Sequence, residues 1–269
     1  MNSRPLGRRL LRWGMLATLL YAGFAAFAFF ASERLIFQPP QHRSRENEAG
    51  ASRGFVTTVS GLRIAILRAD LPNAKRVILH SHGNAEDLSG LAPELTSIAR
   101  HCDASVIAYD YPGYGESGGR PTERGTYEAI EAVHALLTSE GWKPDQIILY
   151  GRSLGAGPSF DLATHKAVGG LIAESAFVSA FRVITWMPVL PFDRFPNLER
   201  ARTLSIPVLF IAGSRDDVVP PWHGELLFQS SPSPTKRLEV IADAGHNDLA
   251  AVAGPRYWAI LEAFIRDLP

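Results

Sequence analysis

A single serine lies between two glycines at the end of an apolar stretch, "IILYGRSLGAG", residues 147–157. The pattern G-x-S-x-G, after a buried strand and before a helix, is typical of a nucleophile elbow, a strained turn that exposes the serine hydroxyl. Gly151 and Gly155 have no Cβ, so a strand and a helix can pack closely around such a turn. We therefore predict that Ser153 is a nucleophile and that the backbone N–H of Leu154 faces the reacting carbonyl.

Two phosphate-binding motifs share glycines with this segment but not its other residues. A dinucleotide fingerprint, G-x-G-x-x-G, that begins at Gly155 needs a glycine where the chain has Phe160. A P-loop needs a lysine and a hydroxyl residue directly after its last glycine, and neither glycine here is followed by lysine. We therefore expect no nucleotide and no other cofactor.

A serine nucleophile needs a base, and the base needs an orienting acid. In a sheet of parallel strands these partners follow the serine, acid first and histidine second, at the carboxyl ends of later strands. Asp216 and Asp217 follow the apolar run "PVLFIAG", and His246 follows "RLEVIAD". Of eight histidines, His246 is the one at a strand end after both the serine and a late carboxylate. We predict His246 as the base, with one of the two aspartates as the acid.

The negatively charged oxygen of the reaction needs a second N–H donor, expected from the loop after the first parallel strand. The segment "HSHGNAEDL" follows such a strand, and Gly83 allows the backbone to bend there. We predict that the N–H of Asn84 faces Ser153.

Two histidines in that segment raise a metal alternative. His80 and His82 begin the dinuclear zinc pattern H-x-H-x-D-H, but the chain has Asn84 and Ala85 where the pattern needs aspartate and histidine. Too few ligands remain for zinc, so we expect no metal ion.

The elements that must position these residues are short apolar runs that alternate with helical ones. Six runs are rich in β-branched residues and suit strands buried on both faces of a parallel sheet: "RVILH", "SVIAYD", "QIILYG", "GLIAES", "PVLFIAG" and "RLEVIAD". Helical periodicity in residues 122–141 and 257–268 predicts helices that connect the strands. The runs "FVTTV" and "RIAIL", on either side of Ser60-Gly61, predict a β-hairpin at the start of the domain. We predict an α/β fold with a doubly wound, mostly parallel sheet over residues 55–269.

Residues 178–204 interrupt this alternation and predict a short helical lid insertion over one end of the sheet. The insertion and its edge carry apolar side chains that line an acyl pocket, rest on a membrane or pack on the sheet: Phe177, Phe181, Trp186, Met187, Val189, Leu190, Phe192 and Phe195. Composition leaves the three alternatives open.

The N-terminus predicts a membrane segment. Residues 1–12 carry four arginines, and residues 13–32 carry no charge and would span about 30 Å as a helix, the thickness of a bilayer core. We predict a single-pass transmembrane anchor at 13–32 with a cytoplasmic N-terminus, a linker at 33–54 and the catalytic domain on the non-cytoplasmic side. A cleaved signal peptide, which would export the domain, is the alternative because Ala26 and Ala28 form an A-x-A-like pair.

Composition excludes other classes. The chain has 27 basic and 27 acidic residues, and no basic run interleaved with aromatic residues follows residue 45, so we expect no nucleic-acid partner. Cys102 is the only cysteine, which excludes an intrachain disulfide and a cysteine-based zinc cluster.

Taken together, these motifs resemble the α/β-hydrolase superfamily from about Phe55 to the C-terminus. Four elements match in order: "HSHGN", "YDYPGYGESGG", "GRSLG", and the pair "GSRDDVVP" with "AGHND". The membrane segment followed by "RLIFQPP", with "HGNAED" and "GHND", is most similar to the single-pass anchored ABHD-type branch, whose studied members include lipid and thioester hydrolases. The lipid-modified cysteines of some cytosolic relatives have no counterpart, since Cys102 lies mid-chain.

The resemblance implies a choice of acid. The pattern G-x-x-D-x-x-V-P places the family acid at Asp216 rather than Asp217, and Glu174 is a minor candidate because some relatives carry the acid at the end of the preceding strand. It also implies that Asp110 ties the turns of "DYPGYGES" by hydrogen bonds.

The expected activity is hydrolysis of an ester or thioester by a Ser-His-Asp acyl-enzyme mechanism, on a lipidic or acyl-chain substrate near a membrane. The alternatives are an exopeptidase-like hydrolase and a catalytically silent, membrane-anchored binding protein.

Overall fold

The computed structural model describes residues 4–40 and 50–269, and it divides at Ile36 into two compact units. The first unit contains helix α1, Arg4–Ile36. The second unit contains eight strands and seven α-helices among its described residues. The strands are β1 Ser52–Thr57, β2 Arg63–Ala69, β3 Val77–Ser81, β4 Ser105–Tyr109, β5 Ile147–Arg152, β6 Gly170–Glu174, β7 Val208–Gly213 and β8 Lys236–Ile241. The helices are α2 Ala92–Cys102, α3 Glu123–Ser139, α4 Ala156–His165, α5 Asn197–Ala201, α6 Trp222–Ser230, α7 Leu249–Ala253 and α8 Pro255–Arg266.

Helix α1 is longer than the predicted membrane segment at both ends. Its Gly7–Ile36 portion is long and apolar enough to cross a membrane, with a mean hydropathy of 1.8. Residues 33–36 belong to the predicted linker but are helical, because the chain has no proline or glycine between residue 24 and Pro39. Residues 1–3 of the basic N-terminus and 41–49 of the predicted linker lie outside the described residues.

The sheet has the predicted doubly wound, mostly parallel form. The strand order is β1-β2-β4-β3-β5-β6-β7-β8, with β1, β2 and β4 paired antiparallel and every later pair parallel. The strand order reverses between β3 and β5, so the loops after these two strands open a crevice at the carboxyl edge of the sheet, where α/β proteins bind ligands.

Both faces of the sheet are covered. Helices α2 and α8 pack together on one face, and α3, α4, α5 and α6 pack in series on the other. All residues of the central strands β3 to β7 are buried except Arg152 at the end of β5, which explains their continuous apolar sequences. The domain begins earlier than the predicted boundary at residue 55, because Ser52 to Gly54 pair with β2 and Phe37 is buried.

The insertion at 178–204 is less helical than predicted. It contains one 3-10 turn, Phe181–Val183, and the short helix α5, and its remaining residues are turns and loop. Pro188, Pro191 and Pro196 remove backbone donors and disfavour helix in the residues before them, so the apolar composition alone does not produce helices here.

Candidate active site

Ser153 lies at the end of β5 in a backbone conformation that side-chain-bearing residues rarely adopt, with φ at +51°. The surrounding chain is too close to admit other residues at the flanking positions. A Cβ on Gly151 would lie 2.6 Å from the Cα of Ala156, and one on Gly155 would overlap the carbonyl of Ser81. The contact of β3, β5 and α4 therefore imposes the turn that lifts the serine above the sheet.

The structure brings Ser153, His246 and Asp216 into one hydrogen-bonded series. With the imidazole proton on Nδ1, His246 donates to Asp216 Oδ2 at 2.8 Å, and His246 Nε2 accepts from the Ser153 hydroxyl at 3.0 Å. Both distances lie within the range expected for a nucleophile, its base and the acid that orients the base.

Asp216 is held from its other side by the backbone. Its side chain is fully buried, and Oδ1 accepts the N–H groups of Val218 at 3.0 Å and Val219 at 2.7 Å. Asp217 is exposed to solvent. The loop after β7 therefore turns Asp216, and not its neighbour, toward His246.

Glu174, the third acid considered from the sequence, has different partners. Its buried carboxylate accepts hydrogen bonds from the hydroxyls of Tyr150 and Tyr257, each at 2.6 Å, and lies 3.4 Å from Arg152 Nε. It is part of the core beneath the site and does not orient His246.

The loop after β3 carries Asn84, one of the two predicted donors to the oxyanion. The Asn84 side-chain carbonyl accepts from the Tyr114 hydroxyl at 2.7 Å and from the Gln38 N–H at 3.1 Å. The N–H of Gly83 donates to Glu86 Oε2 at 2.7 Å, so this N–H is not a candidate donor to the oxyanion. Leu154, the other predicted donor, is buried at the start of the turn that leads into α4.

His80, within β3, and His82, directly after it, are both buried in the domain. His82 Nδ1 lies 2.7 Å from the Gly83 carbonyl, and its Nε2 lies 3.4 Å from Asp110, which also accepts the Leu88 N–H. Burial lowers the pKa of His80 to about 3, so this imidazole is neutral. Within residues 4–40 and 50–269, no three histidine, cysteine or acidic side chains are grouped so as to hold a metal ion.

A polar cluster that the sequence analysis does not predict lies beside the series of Ser153, His246 and Asp216. Arg152, directly before Ser153, contacts Glu86 of the loop after β3 and donates to Asn247 Oδ1 at 2.8 Å. The sequence contained a signal for this cluster, because Arg152, Glu86 and Asn247 each lie within two residues of a predicted site residue. Arg152 and Glu86 also carry opposite charges.

The cluster borders a cavity of about 450 Å³. Polar residues in its wall are Glu86, Glu94, Ser97, Arg152, Glu174, Asn247 and Tyr257. Burial and the neighbouring charge of Glu174 raise the pKa of Glu94 to about 7.

The insertion divides into a buried base and an exposed tip. At the base, Phe195 is fully buried and its ring lies edge-on to those of Phe37, Tyr127 and Phe177. At the tip, four large apolar side chains are exposed, and we call them the apolar rim: Ile184 (87% exposed), Trp186 (84%), Met187 (66%) and Val189 (42%).

Comparison with known proteins agrees with this architecture. Residues 77–205 match the model of the alpha/beta hydrolase family. Human alpha/beta hydrolase domain-containing protein 17B is 39% identical over 214 residues, which cover 78% of this chain and 73% of the relative. The Caenorhabditis elegans alpha/beta hydrolase domain-containing protein aho-3 is 38% identical over 202 residues, covering 72% of this chain and 59% of the relative.

Among solved structures, the Pyrococcus furiosus esterase Pf2001 superposes with a TM-score of 0.73 at 18% identity, covering 86% of this chain and 99% of the esterase. An esterase domain from Rhodothermus marinus has a TM-score of 0.62 at 19% identity, covering 81% and 99%. At these identities the likeness is one of fold.

Proposed function

Since the chain belongs to the alpha/beta hydrolase family, we propose that it is a serine hydrolase that cleaves an ester or thioester through an acyl-enzyme. The observation that carries the proposal is the hydrogen-bonded series from Ser153 through His246 to Asp216, on a strained turn at the carboxyl edge of the sheet. A protein with this fold that only bound a ligand would have no need of that series.

In the first half of the proposed reaction, the Ser153 oxygen attacks the substrate carbonyl while its proton moves to His246 Nε2. Asp216 accepts the hydrogen bond from His246 Nδ1–H and stabilises the imidazolium that forms. When the tetrahedral intermediate collapses, the bond to the leaving alcohol or thiol breaks and His246 Nε2 returns the proton to that group. The acyl group remains on Ser153.

In the second half, a water molecule takes the place of the leaving group. His246 accepts a proton from the water as its oxygen attacks the acyl-enzyme, and then protonates Ser153 as the acid product leaves. In both halves the carbonyl oxygen becomes negative, and we assign its stabilisation to the N–H groups of Leu154 and Asn84. Loss of one such donor lowers the rate by about 100- to 1,000-fold in serine hydrolases.

We propose lipidic or acyl-chain substrates and attachment to a bilayer through α1, with the N-terminus cytoplasmic and the catalytic domain on the other side. Two observations support this: the apolar rim exposes large side chains on the insertion, and α1 is long and apolar enough to cross a membrane. Exposed apolar groups of this size fit an apolar partner better than a sugar or a peptide.

The test uses the full-length protein in detergent micelles or in nanodiscs. We expect a fluorophosphonate to label Ser153, identified by mass spectrometry, and we expect Ser153→Ala to lower the hydrolysis of an acyl ester by about 10,000-fold or more. The matched control is Ser175→Ala, since Ser175 also follows a strand and has φ at +46°, but Ser153 is the serine that His246 contacts.

Undiminished hydrolysis by Ser153→Ala would contradict the mechanism. A ladder of esters from short to long acyl chains, with peptide p-nitroanilides beside them, tests the substrate class. Equal rates for short and long chains, with and without a bilayer, would contradict the lipidic substrate, and faster cleavage of the peptide substrates would favour the exopeptidase-like alternative.

A further inference from the structure

We propose that Arg152 is a positioning residue that holds two loops in place around the nucleophile. These are the oxyanion loop, residues 82–87, and the histidine loop, residues 244–248. The inference rests on the proposed serine-hydrolase function and adds a residue that does not touch the reacting atoms.

Arg152 is placed to join the three parts of the site. It is the last residue of β5 and directly precedes Ser153, and its side chain is 11% exposed. One guanidinium nitrogen, Nη1, contacts Glu86 of the oxyanion loop, and the other, Nη2, donates to Asn247 of the histidine loop at 2.8 Å. The planar guanidinium directs several donors in fixed directions, which a lysine ammonium does not do.

On the side of the oxyanion loop, the contact passes through Glu86 to the backbone. Glu86 Oε1 pairs with Arg152, while Glu86 Oε2 accepts the Gly83 N–H at 2.7 Å. A Cβ on Gly83 would lie 3.1 Å from both Arg152 Nη1 and Glu86 Oε2, so the ion pair lies directly against this backbone. The next residue is Asn84, whose N–H we assign to the oxyanion, so Arg152 contributes to the orientation of that N–H together with the contacts of the Asn84 side chain to Tyr114 and Gln38.

On the side of the histidine loop, the contact is with the residue after the base. Asn247 is exposed, and its side-chain oxygen accepts from Arg152. Within the same loop, Asp248 accepts the Gly245 N–H at 2.7 Å. The two neighbours of His246 in the chain, Gly245 and Asn247, are therefore each held by a hydrogen bond, which limits the movement of the His246 ring relative to Ser153.

The core holds the arginine itself. Arg152 Nε lies 3.4 Å from Glu174 Oε1, and the two residues are paired in the register of β5 and β6. Glu174 is held in turn by the hydroxyls of Tyr150 and Tyr257. Three carboxylate or amide partners therefore leave the guanidinium little freedom to turn.

Three variants test the inference in steady-state kinetics with an acyl ester: Arg152→Gln, Glu86→Gln and the double variant. We expect Arg152→Gln to lower kcat by 10- to 100-fold with KM changed less than about threefold, because small displacements of catalytic groups have effects of this size. We expect Glu86→Gln to act in the same direction, and the double variant to be no slower than Arg152→Gln, since both break one link.

A second ion pair of similar exposure serves as the matched control. Arg68 donates to Glu140 at 2.6 and 3.0 Å, with side chains 20% and 32% exposed, against 11% and 30% for Arg152 and Glu86. It joins β2 to the end of α3. We expect Arg68→Gln to change the melting temperature as much as Arg152→Gln does, but to leave kcat unchanged.

Two further variants keep the test decisive if Arg152→Gln folds poorly. Asn247→Ala removes an exposed side chain and should lower kcat several-fold without changing the melting temperature. Compared with Arg152→Gln, Arg152→Lys restores the positive charge but not the planar guanidinium, and should recover only part of the rate.

The inference is overturned if kcat is unchanged in folded Arg152→Gln or in Asn247→Ala, or if the effects of Arg152→Gln and Glu86→Gln multiply in the double variant. Fluorophosphonate labelling of wild-type Ser153 separates this result from failure of the proposed function. If the wild-type serine is not labelled, the proposed function fails and this inference fails with it, whereas normal labelling with unchanged variants contradicts the inference alone.

Discussion

The nucleophile elbow and the apolar rim are opposite extremes of packing within one domain. At the elbow, backbone atoms of β3 and α4 lie so close to Gly151 and Gly155 that no side chain fits. At the rim, Trp186 is 84% exposed and Ile184 is 87% exposed. Packing therefore determines the backbone at the proposed nucleophile, whereas the side chains of the rim, which we propose contact the substrate, are exposed.

The elbow can hold a strained serine because its neighbours determine the backbone. A residue with a side chain in the left-handed region costs about 1–3 kcal/mol, and such a cost persists only where the surrounding structure imposes it. Ser153 meets that condition through the close contacts of its two flanking glycines.

The largest expected effect concerns the acid that orients His246 at the elbow. Asp216→Asn keeps the shape of the side chain but favours the wrong imidazole tautomer, and we expect kcat to fall by about 1,000- to 10,000-fold. The same ester assay applied to Asp217→Asn, an exposed neighbour, should show wild-type rates. Equal losses in the two variants would contradict the assignment of the acid.

A smaller effect separates the base of the insertion from its tip. Phe195→Ala removes a fully buried ring and should lower the free energy of unfolding by about 3–5 kcal/mol. Trp186→Ala removes an exposed ring and should change it by less than about 0.5 kcal/mol. Urea denaturation of both variants measures these values.

The activity of the same two variants sharpens the result. Trp186→Ala should lower the rate on long acyl chains more than on short ones, whereas an unchanged chain-length profile would show that the rim does not contact the substrate. A loss of stability in Trp186→Ala as large as that in Phe195→Ala would contradict the division of the insertion into base and tip.

The smallest effect concerns His223 on α6, which supports the start of the insertion by accepting the Val178 N–H on Nδ1 at 3.2 Å. Burial, together with the charge of Arg182, lowers the pKa of His223 to about 4, from 6.5 in an unfolded chain. The unfolded state therefore binds the proton first as the pH falls. The stability that depends on neutral His223 is complete above pH 6.5 and is lost progressively between about pH 6.5 and 4.

We expect wild type to lose about 2 kcal/mol more than His223→Asn between pH 7 and pH 5. The asparagine side chain still offers an acceptor to the Val178 N–H. Glu94, whose pKa is raised to about 7, shifts stability in the opposite direction but equally in both proteins, so the difference isolates the histidine. Parallel pH profiles of the free energy of unfolding would contradict the assignment.

The sequence by itself determined the strands and the order along the chain of the residues that we propose as catalytic. The predicted apolar runs correspond to β3 through β8, and those of β3 to β7 are buried because a strand covered on both faces needs apolar side chains at most positions, whereas the edge strand β8 is only half-buried. The glycine spacing around Ser153 indicated the elbow, and strand ends indicated His246 and the neighbouring pair Asp216 and Asp217, since these signals are local. Residues 178–204 were harder to predict, because three prolines prevent the helices that their apolar composition suggests.

Only the tertiary structure decided which apolar residues of the insertion are buried and how Arg152 is partnered, and it supplied the physical reason why Asp216, the acid that the family pattern indicated, meets His246. Asp216 and Asp217 are chemically identical, and the two backbone N–H groups that hold one of them toward His246 become available only when the loop after β7 folds. Phe195 and Trp186 are both large and aromatic, yet one meets the rings of the domain and the other meets solvent. Arg152 joins loops 66 and 95 residues away along the chain. Contacts over such separations depend on strand order and register, which local composition does not encode.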